Sequence, residues 1–191
     1  MHRQVASSYQ DRRQTAQEVP ESAFRVEYLL GMPIGESDQI TQTEASVGFA
    51  LPPLLSQLYT RIANGGFGPG GGIRGCIGGY GTPMSMGDDA GTLLGYYEWK
   101  RATSRLVDFS ELSDQWELGA SGALELPYNV WPIHLLHIAD MECGMQACVD
   151  AVSQHMYWTG LSHRRGMFIL EKTNTLEEWL LSWMRGGDRY E

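Results

Sequence analysis

A chain of 191 residues, 42% hydrophobic and 19% charged, has the size and apolar content of one globular domain and is too apolar for a disordered protein. At that length a domain buries about 70% of its unfolded surface, so no disulfide or metal staple is required. The formal net charge of −9 excludes a broad phosphate-binding surface, which needs clustered Lys and Arg, and speaks against adhesion to an anionic membrane.

Residues 1–20 carry Arg3, Arg12 and Arg13 against Asp11 and Glu18 with no apolar periodicity, and are expected to form a mobile polar tail ahead of a single domain at 21–191. Because that tail is slightly basic, the domain itself is more acidic than the whole chain. The N-terminus has no apolar core of a signal peptide. The longest mostly apolar stretch, Val130 to Ala139, is interrupted by Pro132 and His134, so no membrane span is expected. From Phe24 to Gly48 an apolar patch at Val26, Tyr28, Leu29 and Leu30 gives way to a turn at 32–35 and a polar run to Val47, without a clear period.

A helix is predicted from about 52 to 63. Pro52 and Pro53 suit its first turn, Leu54, Leu55, Leu58, Tyr59 and Ile62 share one face, and Asn64-Gly65 supplies a left-handed stop. Thirteen of the 23 glycines then fall between Gly65 and Gly95. The run GGFGPGGGIRGCIGGYG is too rich in glycine for the interior of a regular element and reads as a loop. Thr92 to Ser104 reads as a second helix, with Asp88 and Asp89 near its start and Lys100, Arg101 and Arg105 near its end, the arrangement that complements the helix dipole. Leu93, Leu94 and Tyr97 are its expected core residues.

The second half reads as strands: Trp131 to Ile138, Met145 to Val152, and short ones at 154–159 and 167–171. In the second of these, Met145, Ala147 and Val149 alternate with Gln146, Cys148 and Asp150. A last helix is well marked. Thr175 and Glu178 form a capping-box pattern, Leu176, Trp179, Leu180, Trp183 and Met184 recur at helical spacing, and Gly186-Gly187 ends it. Helices flanking a run of strands give an α+β order.

Three cysteines, Cys76, Cys143 and Cys148, are an odd number in a chain large enough to fold without bridges, so reduced thiols and a cytoplasmic location are expected, with no disulfide. Gly66, Gly68 and Gly71 match a G-x-G-x-x-G spacing, but a helix precedes them where a dinucleotide site needs a strand, and no phosphate-loop Lys follows. His134, His137, Cys143 and Cys148 are residue types that hold zinc. Their spacing lies outside the common finger patterns, and in an extended strand His134 and His137 point to opposite faces. No nucleophile elbow and no Cys/His signature mark a hydrolase. No catalytic, cofactor or metal residue is therefore assigned.

The carboxylates Asp88, Asp89, Asp108, Glu111, Asp114, Glu117, Asp140 and Glu142 recur through the middle of the chain. They read first as a solvated surface and second as an acidic face that steers a basic partner into contact. As a binding face they are the candidate partner-binding residues. Trp99, Trp116, Tyr128 and Trp131 lie in the same region, as core or as anchors.

The run ALPPLLSQLYTRIANGGFGPGGGIRG resembles the N-terminal signature of the SUKH superfamily, also known through the yeast cell-wall-assembly regulator. Trp131-Pro132-Ile133, then Asp140, Cys143 and Cys148-Val149-Asp150, resemble its downstream motifs, and LEEWLLSWMRG its closing Trp-rich helix. Met141 and Glu142 depart from the pattern. The resemblance spans about residues 40–187 and implies an α+β fold with a central, mostly antiparallel sheet of short strands flanked by helices. It also implies a non-enzymatic role without a cofactor. Bacterial members resemble immunity proteins that bind and neutralise a cognate secreted toxin, often a nuclease; eukaryotic ones act as regulatory or scaffolding adaptors. The charge implies that such a toxin is basic, with no direct contact to nucleic acid or membrane. A regulatory adaptor is the alternative. A small-ligand or metal-binding enzyme using His134, His137 or Cys143 is the third.

Overall fold

The computed structural model describes residues 32–81, 90–112, 123–141, 144–161 and 166–186. The expected tail at 1–20 lies outside them. Helix α1, Ser37–Val47, opens with Gln39 Oε1 accepting the Glu36 N–H at 2.9 Å and closes at Gly48, whose φ of 91° is left-handed. This is the segment whose pattern suggested only a polar run. Its buried stripe is one residue wide, Ile40, Thr43 and Val47, too narrow to stand out among polar neighbours. Helix α2, Pro53–Arg61, buries Leu55 and Tyr59 completely. It stops short of Asn64, which instead organises the loop that follows.

Helix α3, Leu93–Thr103, begins where the Thr92 Oγ1 accepts the Gly95 N–H at 3.2 Å, and Leu93, Leu94 and Tyr97 are buried as expected. The chain continues through β1 (Arg105–Val107), the single-turn α4 (Phe109–Leu112), β2 (Leu124–Pro127), β3 (Val130–Pro132), β4 (Leu135–Asp140), β5 (Gln146–Asp150), β6 (His155–Leu161), β7 (Met167–Thr175) and α5 (Leu176–Met184). The strands β2, β7, β6, β5 and β4 form, in that order, an antiparallel sheet, while β1 and β3 pair in parallel as a separate ribbon. The fold is α+β. The single strand expected at 131–138 is two: Pro132 cannot donate to a ladder, and a turn at Ile133-His134 carries the chain from the ribbon into the main sheet.

Period-two alternation sorts the sheet residues between two cores. On one face Leu136, Ile138, Ala147, Val149 and Met156 pack with residues of α1, α2, α3 and α5. On the other Leu135, Cys148, Phe168, Leu170 and Leu126 pack with Trp131, Val107 and Leu112. Met145 and Trp158 side with the first core and Tyr157 with the second, as the alternation in β5 and β6 requires. No helix among the described residues is long and apolar enough to cross a membrane.

The glycine-rich loop is ordered around Asn64. Its Oδ1 accepts the Cys76 N–H at 2.8 Å, and its backbone O accepts the Tyr80 N–H at 2.8 Å. The loop then runs along the outer edge of β4, with Arg74 N donating to Ile138 O at 2.7 Å and Gly71 N to Asp140 O at 3.0 Å. It thereby covers a sheet edge that would otherwise offer unpaired backbone groups to another chain.

The closing helix has the capping box its sequence forecasts, with Thr175 Oγ1 accepting the Glu178 N–H and the Glu178 carboxylate accepting the Thr175 N–H. Those bonds hold the Glu178 pKa below its ordinary value. Thr175→Ala is expected to destabilise the protein by about 1 kcal/mol in urea titration. Because the Glu178 pKa is depressed on folding, the stability it adds is present above the unfolded pKa and fades as pH falls through the folded one.

Candidate functional site

The loop's only charged side chain, Arg74, meets the end of β4. Its Nη2 lies 2.6 Å from Asp140 Oδ2, its Nη1 donates to the Gly91 carbonyl, and the residue is 4% exposed. Tyr59, buried in α2, donates its hydroxyl to the Arg74 carbonyl at 2.5 Å. Arg74 thus ties the loop to the sheet through its side chain and backbone N–H, and to α2 through its carbonyl.

One turn of the strand away, His137 is buried with Nε2 at 3.0 Å from Ala139 O and 3.1 Å from Asp140 Oδ1. Two oxygen acceptors around Nε2 require the proton there, which leaves Nδ1 as a bare acceptor. Nδ1 has no hydrogen-bond partner among the described residues, and the Tyr96 ring stands edge-on with centroids 4.1 Å apart. Burial outweighs the Asp140 contact and lowers the His137 pKa, so the imidazole is neutral. Tyr96 donates to Gln146 Oε1 at 3.0 Å, and Thr159 donates to the same atom at 3.2 Å. Burial raises the Tyr96 pKa well above that of a free phenol.

Beyond Tyr96 the last turns of α3 place Lys100 among rings. Its Nζ lies 4.1 Å from the Trp131 centroid, 5.0 Å from Trp99, 5.5 Å from Phe168 and 5.8 Å from Tyr96. Facing π-clouds attract the ammonium, but the desolvation is larger and pushes its pKa down to about 8. Cys148 belongs to the same enclosure, where burial pushes its thiol up to about 12. Burial does the same to Cys76. Neither thiol is a thiolate at neutral pH, and the thiolate is the form that attacks or ligates.

Of the eight carboxylates that the sequence grouped, three lie among the described residues. Asp108 and Glu111 are exposed at the β1–α4 junction, where Asp108 Oδ1 accepts from Ser110 N at 2.8 Å and from Ser110 Oγ at 2.7 Å. Asp140 is engaged with Arg74 and His137. Asp88, Asp89, Asp114, Glu117 and Glu142 lie outside the described residues, as do Cys143 and Trp116. His134 and His137 go separate ways: His134 packs on Phe49 with centroids 5.2 Å apart, and His137 on Tyr96. Among the described residues no group of three or more His, Cys, Asp or Glu side chains could hold a metal ion. Of the aromatic candidates, Trp131 is fully buried, whereas Trp99 and Tyr128 are about half exposed.

Sequence reasoning missed Arg74, Tyr96, Lys100 and Gln146. For Arg74 a signal was present, since it is the one charged residue between Gly65 and Gly81 and a lone charge in an apolar, glycine-rich stretch needs a partner. Lys100 had none, because its position in the last turn of a helix is where a solvated lysine is expected.

No curated protein and no solved structure matches the chain. The SMI1 / KNR4 family (SUKH-1) matches residues 36–182, from the N-cap of α1 into the last turn of α5, and so takes in the sheet, the glycine-rich loop and the Arg74–Asp140–His137 network. The chain belongs to the SMI1 / KNR4 family (SUKH-1).

Proposed function

We propose that this protein is a non-enzymatic, immunity-type binding protein that neutralises a cognate secreted toxin of basic charge. One observation carries the reading: among the described residues, His137 and Cys148, two of the four groups weighed for metal or nucleophilic chemistry, are sealed in the core, while Asp108, Glu111, Trp99 and Tyr128 face solvent. Such a distribution suits recognition through a surface. Membership of the family and the net charge of −9 support it. In this reading the exposed carboxylates meet the basic substrate groove of the toxin and steer its approach, so they act on the association rate more than on the lifetime of the complex.

Asp140 is a poor probe of that mechanism, because changing it also breaks an internal ion pair. Asp108→Lys with Glu111→Lys is a cleaner one. The pair is expected to slow association with the cognate toxin roughly tenfold at low ionic strength, with the gap closing as salt screens the charges. Stopped-flow association rates across a salt series check this, alongside survival of cells that express the toxin. A salt-independent association rate, or a toxin that is itself acidic, would overturn the steering mechanism. Failure to neutralise any toxin encoded beside this chain would overturn the function.

A further inference from the structure

The chain has three asparagines, and their neighbours divide them. Asn129 and Asn174 are exposed and precede Val130 and Thr175, whose branched side chains crowd the peptide nitrogen that follows the asparagine. Asn64 precedes Gly65, where no Cβ shields that nitrogen, and it is the one asparagine that is buried, at 1% exposed. The pair with the least chemical protection is therefore the one that the fold encloses.

The enclosure reaches every group that a reaction between the two residues would use. Asn64 Oδ1 accepts the Cys76 N–H at 2.8 Å, while Nδ2 donates to Gln39 Oε1 and to Ile77 O, each at 3.4 Å. Gly65 N donates to Ala63 O at 2.8 Å. The carboxamide lies against bare backbone: a Cβ on Gly79 would stand 2.5 Å from Asn64 Cγ, and one on Gly35 3.5 Å from it. Swinging Cγ onto the Gly65 nitrogen would break all of these hydrogen bonds together, in a cage with no space for the movement.

We infer that Asn64-Gly65 is a deamidation site that the fold keeps closed and that opens when the loop unfolds, so that prolonged unfolding becomes irreversible. The Gly65 nitrogen gives its proton to hydroxide and attacks Asn64 Cγ; the new N–Cγ bond forms as the Cγ–Nδ2 bond breaks and ammonia leaves. Water then opens the five-membered imide at either carbonyl, giving aspartate or the isomer whose main chain runs through Cγ. Neither product fits the folded loop. Aspartate sets a buried carboxylate against two acceptors, Ile77 O and Gln39 Oε1, and the latter is held in place by the Glu36 N–H. The isomer lengthens the main chain beside Gly65, where one added carbon would already stand 2.5 Å from Gly75 N and 2.7 Å from Ile73 O. Chemical modification of the unfolded chain makes working stability a rate instead of an equilibrium. The site has this effect whatever partner the protein binds.

The test uses the full chain in buffer, in mildly alkaline urea and in mildly acidic urea, where the Gly65 nitrogen keeps its proton. Trypsin releases Asn64 in the peptide Ile62–Arg74, and mass spectrometry follows the exchange of amide for acid there and at Asn129 and Asn174. In alkaline urea Asn64 is expected to convert first; in buffer at the same pH it should convert at least about a hundredfold more slowly, because the loop is seldom open. Samples diluted from urea after equal times are then separated into folded and unfolded fractions by size-exclusion chromatography. The folded fraction should carry intact Asn64 and the unfolded fraction the modified residue, while acidic urea should cost no recovery. Asn64→Asp, which is one of the two products, should lose the cooperative melt of the parent. Equal conversion of Asn64 in buffer and in urea, earlier conversion of Asn129 or Asn174, modified chains in the folded fraction at the share they hold in the urea sample, or an Asn64→Asp protein that melts with the parent would each overturn the proposal.

Discussion

Asp140→Ala is expected to destabilise the protein by about 3 kcal/mol, because it leaves a buried guanidinium without its counter-charge. Arg74 is 4% exposed, and its Nε already lacks an acceptor among the described residues. Losing the 2.6 Å contact to Asp140 leaves the Gly91 carbonyl as its remaining side-chain acceptor. His137 suffers less, since Ala139 O still accepts its Nε2 proton. Asp140→Asn should fall between the two, keeping an acceptor but losing the charge. Arg74→Met added to Asp140→Ala should recover part of the loss, because an uncharged side chain needs no partner there. Urea denaturation of the parent, Asp140→Ala, Asp140→Asn, Arg74→Met and the double variant measures these differences and closes the cycle. A change below about 0.5 kcal/mol in Asp140→Ala would mean that the ion pair does not hold the loop to the sheet. The same experiment separates two roles for Asp140: a loss of toxin binding that tracks the loss of stability would be structural, not a lost contact.

Gly65→Ala should destabilise by about 2–5 kcal/mol, from two additive causes. Its φ of 85° is left-handed, and a Cβ there would stand 2.5 Å from Gly75 N and 2.7 Å from Ile73 O. Both are backbone atoms inside the loop and cannot rotate aside. Gly48 isolates the first cause: its φ is 91° but a Cβ would meet nothing within 4 Å, so Gly48→Ala should cost only about 1 kcal/mol. Comparing the two melting curves distinguishes backbone strain from the collision. Equal shifts would show that the loop yields around Gly65 and that its close packing is not what shapes it.

These two sites also show what local pattern conveys. The glycine excess was legible as one loop, and Pro52-Pro53, Thr92 and Thr175-Glu178 marked helix starts within a residue or two, because turns and caps depend on a few adjacent residues. The alternation of Ala147 and Val149 with Gln146 and Cys148 was legible for the same reason. Helix α1 was not, since its burial rests on a stripe of Ile40, Thr43 and Val47 whose value comes from what covers it. Nor were β1 and β2, which are three and four residues long and take their conformation from partners distant in sequence. The break at Ile133-His134 belongs to the same class. Its cause is the transfer of the chain between two sheets, and Pro132 alone did not reveal it.

The candidate site divides along the same line. Charge, cysteine number and the Leu51–Pro69 run bounded the class of protein, and they did so without any contact being known. Asp140 and His137 were named as candidates, but their roles come from Arg74, which lies 66 positions from Asp140 in the chain and reaches it only once the glycine-rich loop lies along β4. Lys100 is the extreme case. From sequence it is a cation in the last turn of a helix, indistinguishable from the exposed Arg101 beside it. Packing turns it inward against Trp131 and Phe168, on two strands that lie far from it in the sequence, and desolvation among those rings lowers the pKa of its amine. Short-range physics therefore determined α2, α3, α5 and the glycine-rich loop from the sequence alone. The charge environment that decides what the side chains can do was set by long-range packing.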